Sequence, residues 1–451
     1  MLSILKQLEQ TRSRNEKEKI LKQLDKSQAD LFKYVAFLAY DPSINFYIKK
    51  YDPPVAENIL VCQNLKDALT DLQNIIGSRA LTGNTARQWI TMTLETLSEE
   101  DAEVMIRVLK RDLRCGVTAT TVNKIWPDTI YQHPYMRCSS FSEKNLKNIK
   151  FPCLSQTKMD GLYCDIIPLD SGFEIRSRNG SFLTHLIEGN KEFEDLVYWL
   201  NHDVLMGELV AVDENGDFML REDSNGYLNS DHVDSNRVVF VGWDIVPLKD
   251  FQEQHCKTPY KTRFNKLNRL LSAIDSPSVR VVDTVECNTK EEIIEHFKAN
   301  REKGEEGSVI KDYSMEWKDG TSKKQIKCKV VFDFDLKIVD WKYGEKGTKH
   351  EHALGSIKLQ SSCGLLEVWC GIGFKDHERV AFLYKVDEWI EEGKIMKGKG
   401  NDVITNNADE NKWSIFLPRF IEPRDDKTEA DSKDRCIEQV KAFTNLLDLI
   451  G

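Results

Sequence analysis

The sequence predicts a multidomain chain: an all-α N-terminal domain, an α+β middle domain and a small C-terminal β-barrel of the OB-fold type. Three observations carry this. Apolar residues recur at helical spacing through the first 130 or so positions, as in Ile4, Leu5 and Leu8 and again in Ile20, Leu21 and Leu24. After Pro127 and Pro134 the texture changes to short apolar runs set between Gly, Asp and Asn turns. From Phe332 onward, about five short strand-like runs fit into about 100 residues, which suits a small barrel.

In the first domain, 1–130, helices are expected over Asp30 to Tyr40, Leu65 to Ile76 and Glu103 to Leu113, and another begins after the turn Thr82-Gly83-Asn84. In the second, 131–330, strands are expected at Tyr163 to Ile167, Phe173 to Ser177, Val204 to Val212 and Val238 to Val246. Helices at Glu188 to Leu200, Lys266 to Ala273 and Lys290 to Ala299 are interleaved with them. In the third, 331–451, strands at Asp335 to Trp341, Gly355 to Gln360 and Leu365 to Cys370 precede a helix from about Val380 to Glu391. A last helix follows from Cys436 to about Leu447.

Hydrophobic residues make up 40% and charged residues 30% of 451, an ordinary globular balance for two to four domains. No apolar run approaches the ~18 residues of a membrane span. The charged, amphipathic start lacks the core of a signal peptide, so a cytoplasmic protein is expected. Eleven scattered cysteines without a Cys-x-x-Cys pair exclude a zinc ribbon and a disulfide framework. The net charge of -10 argues mildly against nucleic acid, but one basic groove can sit on an acidic body. His350 and His352 fall in a Gly- and Lys-rich turn with no third ligand nearby and read as exposed loop.

The chemistry centres on Lys158-Met159-Asp160-Gly161. A lysine attacks phosphorus only as the neutral amine, whereas the ordinary ammonium gives up its proton near pH 10.4, so such a nucleophile needs burial or neighbouring cations. Alone the four residues are a weak signal. They are followed in order by Gly207-Glu208-Leu209, by Trp243-Asp244, by Glu305-Glu306-Gly307-Ser308-Val309-Ile310-Lys311 and by Ile326-Lys327-Cys328-Lys329. Side chains alternate along a strand, so Lys327 and Lys329 share a face. Singly, each has a bland reading as strand-end charge, core aromatic or solvated lysines; their order and spacing make joint coincidence improbable.

These elements resemble the ordered motifs of the covalent nucleotidyltransferases, and over nearly its full length the chain is similar to the ATP-dependent DNA ligases of T-even bacteriophages. Further matching segments are Arg79 to Asn84, Arg111 to Gly116, Asn123 to Pro127, Arg221 with Ser224-Asn225-Gly226, Trp243 to Leu248, Asp335 to Val339 and Arg424 to Lys427. The resemblance implies that the middle domain is a nucleotidyltransferase (adenylation) domain. Lys158 would attack the α-phosphate of ATP. Glu208 and Glu306 would hold Mg²⁺ or bond the ribose, as hard carboxylate oxygens suit. Trp243 would stack on adenine and Gln156 would read its amino edge. Lys327 and Lys329 would offset phosphate charge and favour the neutral amine, and Arg424 and Lys427 would orient the pyrophosphate. Arg178 would hold the 5′-phosphate of a nick in double-stranded DNA, and Arg111 would contact the duplex. The implied protein is a monomer without a membrane partner; no feature decides contact with a replication clamp. An RNA ligase or capping enzyme would share the lysine, but the helical domain favours DNA.

Two departures stand out. Tyr163 takes the place of the family's arginine after Asp160-Gly161, and Thr321 that of the phage arginine ahead of Lys327. A tyrosine can still bond a phosphate or sugar at the cofactor but brings no charge. The expectation is that activity survives, with phosphate contacts redistributed to Arg178, Lys323 and Lys324.

Overall fold

The computed structural model describes residues 1–48, 51, 61–219, 221–230, 232–346, 348–406 and 409–448. The chain divides into two compact units, one of residues 1–134 with 163–189 and one of 135–162 with 190–451.

The first unit is built on helices Leu2–Gln10, Arg14–Lys22, Lys26–Tyr40, Leu65–Asp71, Gly83–Glu95, Glu99–Leu109 and Ala119–Ile125. Local sequence sets their starts. Asp25 and Gln28 form a reciprocal cap on Lys26–Tyr40, whose stripe Phe32, Val35, Ala36, Leu38 and Ala39 enters the core. Ser98 caps Glu99–Leu109. That helix stops before the expected Leu113 because the chain turns left-handed at Arg111 and Arg114 (φ 53° and 54°).

The same unit includes the hairpin of Leu162–Leu169 and Gly172–Ser177. Past the end of its second strand, the turn Ser177 to Ser181 is pressed against the helical part. Gly180 has φ +88°, and a Cβ there would lie 3.0 Å from Pro42 and 3.1 Å from His133 and Tyr131. Beneath this turn runs a chain of bonds that is buried at Asp165 and reaches the surface at Tyr131. The Tyr163 hydroxyl donates to Asp165 at 2.9 Å, Asp165 meets His133 Nε2 at 2.6 Å, and His133 Nδ1 lies 2.9 Å from the Tyr131 hydroxyl. Asp165 is fully buried, and an ionised or polar group there is tolerated because it is bonded on both oxygens.

In the second unit one sheet has the spatial order Met136–Ser140, Gly320–Lys329, Gly307–Asp312, Cys153–Thr157, Thr284–Cys287. Separately, Asp203–Ala211 pairs with Val238–Pro247, which runs parallel to Val279–Val281. Helix Lys290–Glu302 packs on the first sheet through Ile293, Ile294 and Phe297. The strands after 331 form an open five-stranded sheet, ordered Glu367–Cys370, Leu354–Gln360, Phe332–Tyr343, Ile395–Gly400, Arg419–Arg424, beside a hairpin of Asp402–Asn406 and Asp409–Phe416. Backbone pairing thus closes no ring among the described residues. The pairing register shifts between Lys397 and Gly398, and beyond the buried Asn401 the chain leaves the sheet for the hairpin. The helical run expected near 380–391 is two helices, Asp376–Leu383 and Val386–Glu392. Among the described residues no helix is long and apolar enough to cross a membrane.

Candidate active site

Strand register brings the sequence motifs to one end of a sheet. Thr157 lies opposite Ser308, and Gly307 opposite Lys329. Lys158 and Glu306 therefore leave their strands side by side, and the Lys158 backbone N–H donates to the Gly307 carbonyl at 3.0 Å. The Lys158 ammonium forms a direct ion pair with Glu306, whose other oxygen is 3.1 Å from Lys329 Nζ. Burial holds Lys329 below the usual lysine range, and the cations of Lys158 and Lys327 push the same way against the pull of Glu306. Lys327 stands two residues before Lys329 and acts on it through space.

Glu208 joins from strand Asp203–Ala211 of the other sheet and accepts the Gly161 N–H at 2.7 Å. This bond fixes the turn after Lys158. Glycine is required there, since a Cβ on Gly161 would lie 2.2 Å from the Leu209 carbonyl oxygen. Glu208 and Glu306 are both buried at 9% exposure. Their hard oxygens fit Mg²⁺, which takes one or two carboxylates and fills its remaining positions with phosphate and water. Among the described residues no three His, Cys, Asp or Glu side chains converge as a cage for a metal.

Gln156 and Trp243 meet through a residue the sequence did not single out. The Tyr260 hydroxyl lies 3.0 Å from Gln156 Oε1 and 2.7 Å from the Trp243 carbonyl oxygen. Gln156 Nε2 lies 3.2 Å from Thr284 Oγ1, so both ends of this amide, 1% exposed, are engaged within the protein. Lys311 donates to Tyr260 at 3.2 Å, with its ammonium 5.6 Å from the centre of the Trp243 ring. Complete burial lowers Lys311 to about 8. Below them Asp244 makes a two-pronged ion pair with Arg263 at 2.8 and 2.9 Å. Tyr260 and Arg263 sit on helix Tyr260–Ile274, which begins six residues before the expected Lys266. Pro259, immediately ahead of an amphipathic run, was the available signal.

Arg424 and Lys427 are held by Asp335, at 3.2 and 2.6 Å, and Arg424 also by Asp426 at 2.7 Å. Lys324 turns to Ser314 at 2.7 Å and Asp312 at 3.7 Å, away from the alternation that carries Lys327 and Lys329, while Lys323 is exposed. In the first unit Arg178 is exposed in the turn after strand Gly172–Ser177, its guanidinium 5.8 Å from the centre of the Tyr163 ring. Arg111 points inward and caps the carbonyls of Asp41, at 2.8 Å, and Ile44.

Residues 135–329 match the family model described as the ATP dependent DNA ligase domain. The chain is 29% identical, over 99% of its length and 100% of theirs, to the DNA ligases of the Enterobacteria phages T4 and T6. A solved structure titled Pmar-Lig_PreS3 superposes on 94% of this chain and 99% of its own with a TM-score of 0.71 at 23% identity. Residues 135–329 are accordingly similar to the ATP dependent DNA ligase domain, within a chain similar along its whole length to the ligases of phages T4 and T6.

Proposed function

We infer that this chain is an ATP-dependent DNA ligase that seals nicks between a 3′-hydroxyl and a 5′-phosphate in duplex DNA. The observation that carries the reading is the shared carboxylate of Glu306, bound by both Lys158 and Lys329 beside the Gln156–Tyr260–Trp243 wall. A nucleophilic amine, a phosphate-compensating amine and a metal-type carboxylate belong together in nucleotidyl transfer.

In the first step the Lys158 amine attacks the α-phosphorus of ATP. The bond to pyrophosphate breaks, the nitrogen loses a proton and AMP remains on the lysine. Lys329 and Lys327 offset charge on the phosphates, and Trp243 offers its face to adenine, with Gln156 held in the wall by Tyr260. Arg424 and Lys427, which now share Asp335, would orient the departing pyrophosphate. In the second step a 5′-phosphate oxygen, held by Arg178, takes the adenylate and releases the lysine. In the third the 3′-hydroxyl attacks the 5′-phosphorus and AMP leaves. Mg²⁺ on Glu208 and Glu306 would supply charge compensation to these phosphates.

The wider layout is part of the same reading: a helical DNA-binding domain over 1–130, an adenylation domain over 131–330 and an OB-fold domain over 331–451. Its support is the order of three strands, two helices and four strands after 331 and the parallel bridge from Leu366 to Trp413, which links one edge of the open sheet to the hairpin. The protein would work as a cytoplasmic monomer and grip duplex through the backbone, because a ligase accepts any sequence. The deciding experiment is incubation with α-labelled ATP and Mg²⁺, followed by nicked DNA. A labelled protein band that is discharged by the nick supports the reading. No band, or labelling by GTP in preference to ATP, refutes it.

A further inference from the structure

We infer that Asn300 is a positioning residue for the adenylation chemistry: it clamps together the two strands from which Lys158 and Glu306 emerge. The inference deepens the ligase reading above and rests on it.

Asn300 lies near the end of helix Lys290–Glu302, which Thr289 caps and whose apolar face is Ile293, Ile294 and Phe297. A helix buried on that face has no need of a polar residue there. Yet Asn300 is 1% exposed and spends every polar atom on the site strands. Its Oδ1 accepts from the Thr157 hydroxyl at 3.2 Å. Its Nδ2 lies 3.1 Å from the Gly307 carbonyl, 3.0 Å from Ser308 Oγ and 3.3 Å from His296 Nε2. His296 carries the contact one residue pair further, with Nδ1 2.7 Å from Ser155 Oγ. Burial keeps this imidazole below its ordinary range, which suits a neutral ring passing one hydrogen bond on.

The atoms that Asn300 joins flank the reacting pair. Thr157 precedes Lys158 and Gly307 follows Glu306. The Gly307 carbonyl is the shared joint, taking both the Asn300 amide and the Lys158 backbone N–H, the latter at 3.0 Å. The strand ladder already fixes pairing as far as Thr157 and Ser308. Beyond that point the Lys158 to Gly307 bond is a further backbone tie, and the side-chain amide reinforces it. Gly307 has no room to compensate, since a Cβ there would meet the Cys328 carbonyl oxygen at 2.2 Å. A fully bonded buried polar cluster favours one geometry over many. A displacement of about 1 Å at a reacting group can cost roughly 100-fold in rate.

The test compares two reactions of the full-length protein. One is formation of the covalent adenylate from labelled ATP and Mg²⁺, which uses Lys158 as nucleophile. The other is sealing of a nick that already carries a 5′-adenylate, which does not. For Asn300→Ala and Thr157→Val the rate of adenylate formation is expected to fall tenfold or more, with the KM for ATP within threefold. Sealing of the adenylated nick should fall at least fivefold less, and Thr157→Ser should restore adenylate formation to within threefold of the unmodified protein. Equal losses in both reactions, no loss in either, or Thr157→Val matching Thr157→Ser would overturn the inference. If Asn300→Ala is insoluble, the two Thr157 variants decide. If the unmodified protein forms no adenylate, the ligase reading itself fails and this inference goes with it.

Discussion

The amine of Lys158 and the carboxylate of Glu306 are ion-paired across 148 positions of sequence, and Lys329 shares the same carboxylate at 3.1 Å. One acidic group thus stands between two amines in a pocket where all three are largely shielded, with 21%, 7% and 22% of their side chains exposed. When a triphosphate enters, its charge can take over the partnership with Lys329 and leave Glu306 to a metal ion. On the proposed reading, the pairing holds the place that the substrate takes.

The first expectation concerns the nucleophile. Lys158→Ala should give no labelled protein band with α-labelled ATP, while the unmodified protein gives one. Lys158→Arg should also give none, because a guanidinium stays protonated and cannot attack phosphorus. Equal labelling of Lys158→Ala and the parent would put the adenylate on another lysine. Sealing of an already adenylated nick should survive in both variants to a measurable extent.

Glu306→Gln is expected to lower adenylate formation by about 100-fold or more, the loss usual when a preorganised charged contact at a reacting phosphate is removed. Chelation of Mg²⁺ should abolish labelling in the parent. Titrating Mg²⁺ back should restore the parent at lower concentration than the variant, since the variant keeps only Glu208 as a carboxylate ligand. Identical Mg²⁺ curves would remove Glu306 from the metal site.

Lys311 gives a stability expectation with a definite sign. Burial holds its folded value at about 8 against an ordinary 10.5. Below pH 8 the side chain is charged in both states, and the folded state bears the full cost of a buried ammonium. Between 8 and 10.5 the unfolded chain binds the extra proton, so stability attributable to this group rises with pH. Lys311→Met, similar in length and uncharged, should therefore stabilise the protein at pH 7 by on the order of 1–3 kcal/mol. Urea unfolding at pH 7 and at pH 10 checks it: the advantage of the variant should shrink at the higher pH. An advantage that grows with pH would mean that Lys311 is stabilised as a cation by Tyr260 and Asp244.

Much of this site could be read from the sequence because its chemistry lies in short runs. Lys158, Glu208, Trp243, Glu306, Lys327 and Lys329 each sit in a strand or at its end, where two or three neighbouring residues disclose the local geometry. The supporting shell could not be read that way. Tyr260, Lys311, Asn300 and His296 matter through contacts with residues 4 to 143 positions away, and nothing in a window around Asn300 distinguishes it from a solvated helix residue. The same holds for the fold. Helical and strand periods gave the elements, but packing around Gly180 and Asp165 gathers the hairpin 163–189 with the helices, a grouping that no local signal encodes. Arg111 looks like a basic DNA contact in sequence and is turned inward by a left-handed backbone that sequence spacing does not reveal.

The hairpin carries the last expectation. Arg178 is exposed in the turn after its second strand, and the Tyr163–Asp165–His133–Tyr131 chain anchors that end of the hairpin. If Arg178 holds a DNA phosphate, Arg178→Ala should raise the KM for nicked DNA and make the log–log slope of binding against salt about one unit shallower, as for one lost phosphate contact. Adenylate formation without DNA should stay within twofold of the parent. Asp165→Ala works from below. It leaves His133 and Tyr163 without their shared acceptor and should destabilise the protein by about 2–4 kcal/mol. It should also raise the KM for nicked DNA, because the turn that presents Arg178 loses its anchor, while Tyr163→Phe, which removes one hydroxyl, should cost only about 1 kcal/mol. Binding curves at several salt concentrations, together with urea unfolding, separate the two effects. An unchanged salt slope in Arg178→Ala would take the nick phosphate away from Arg178, and with it the compensation expected for the arginines that Tyr163 and Thr321 replace.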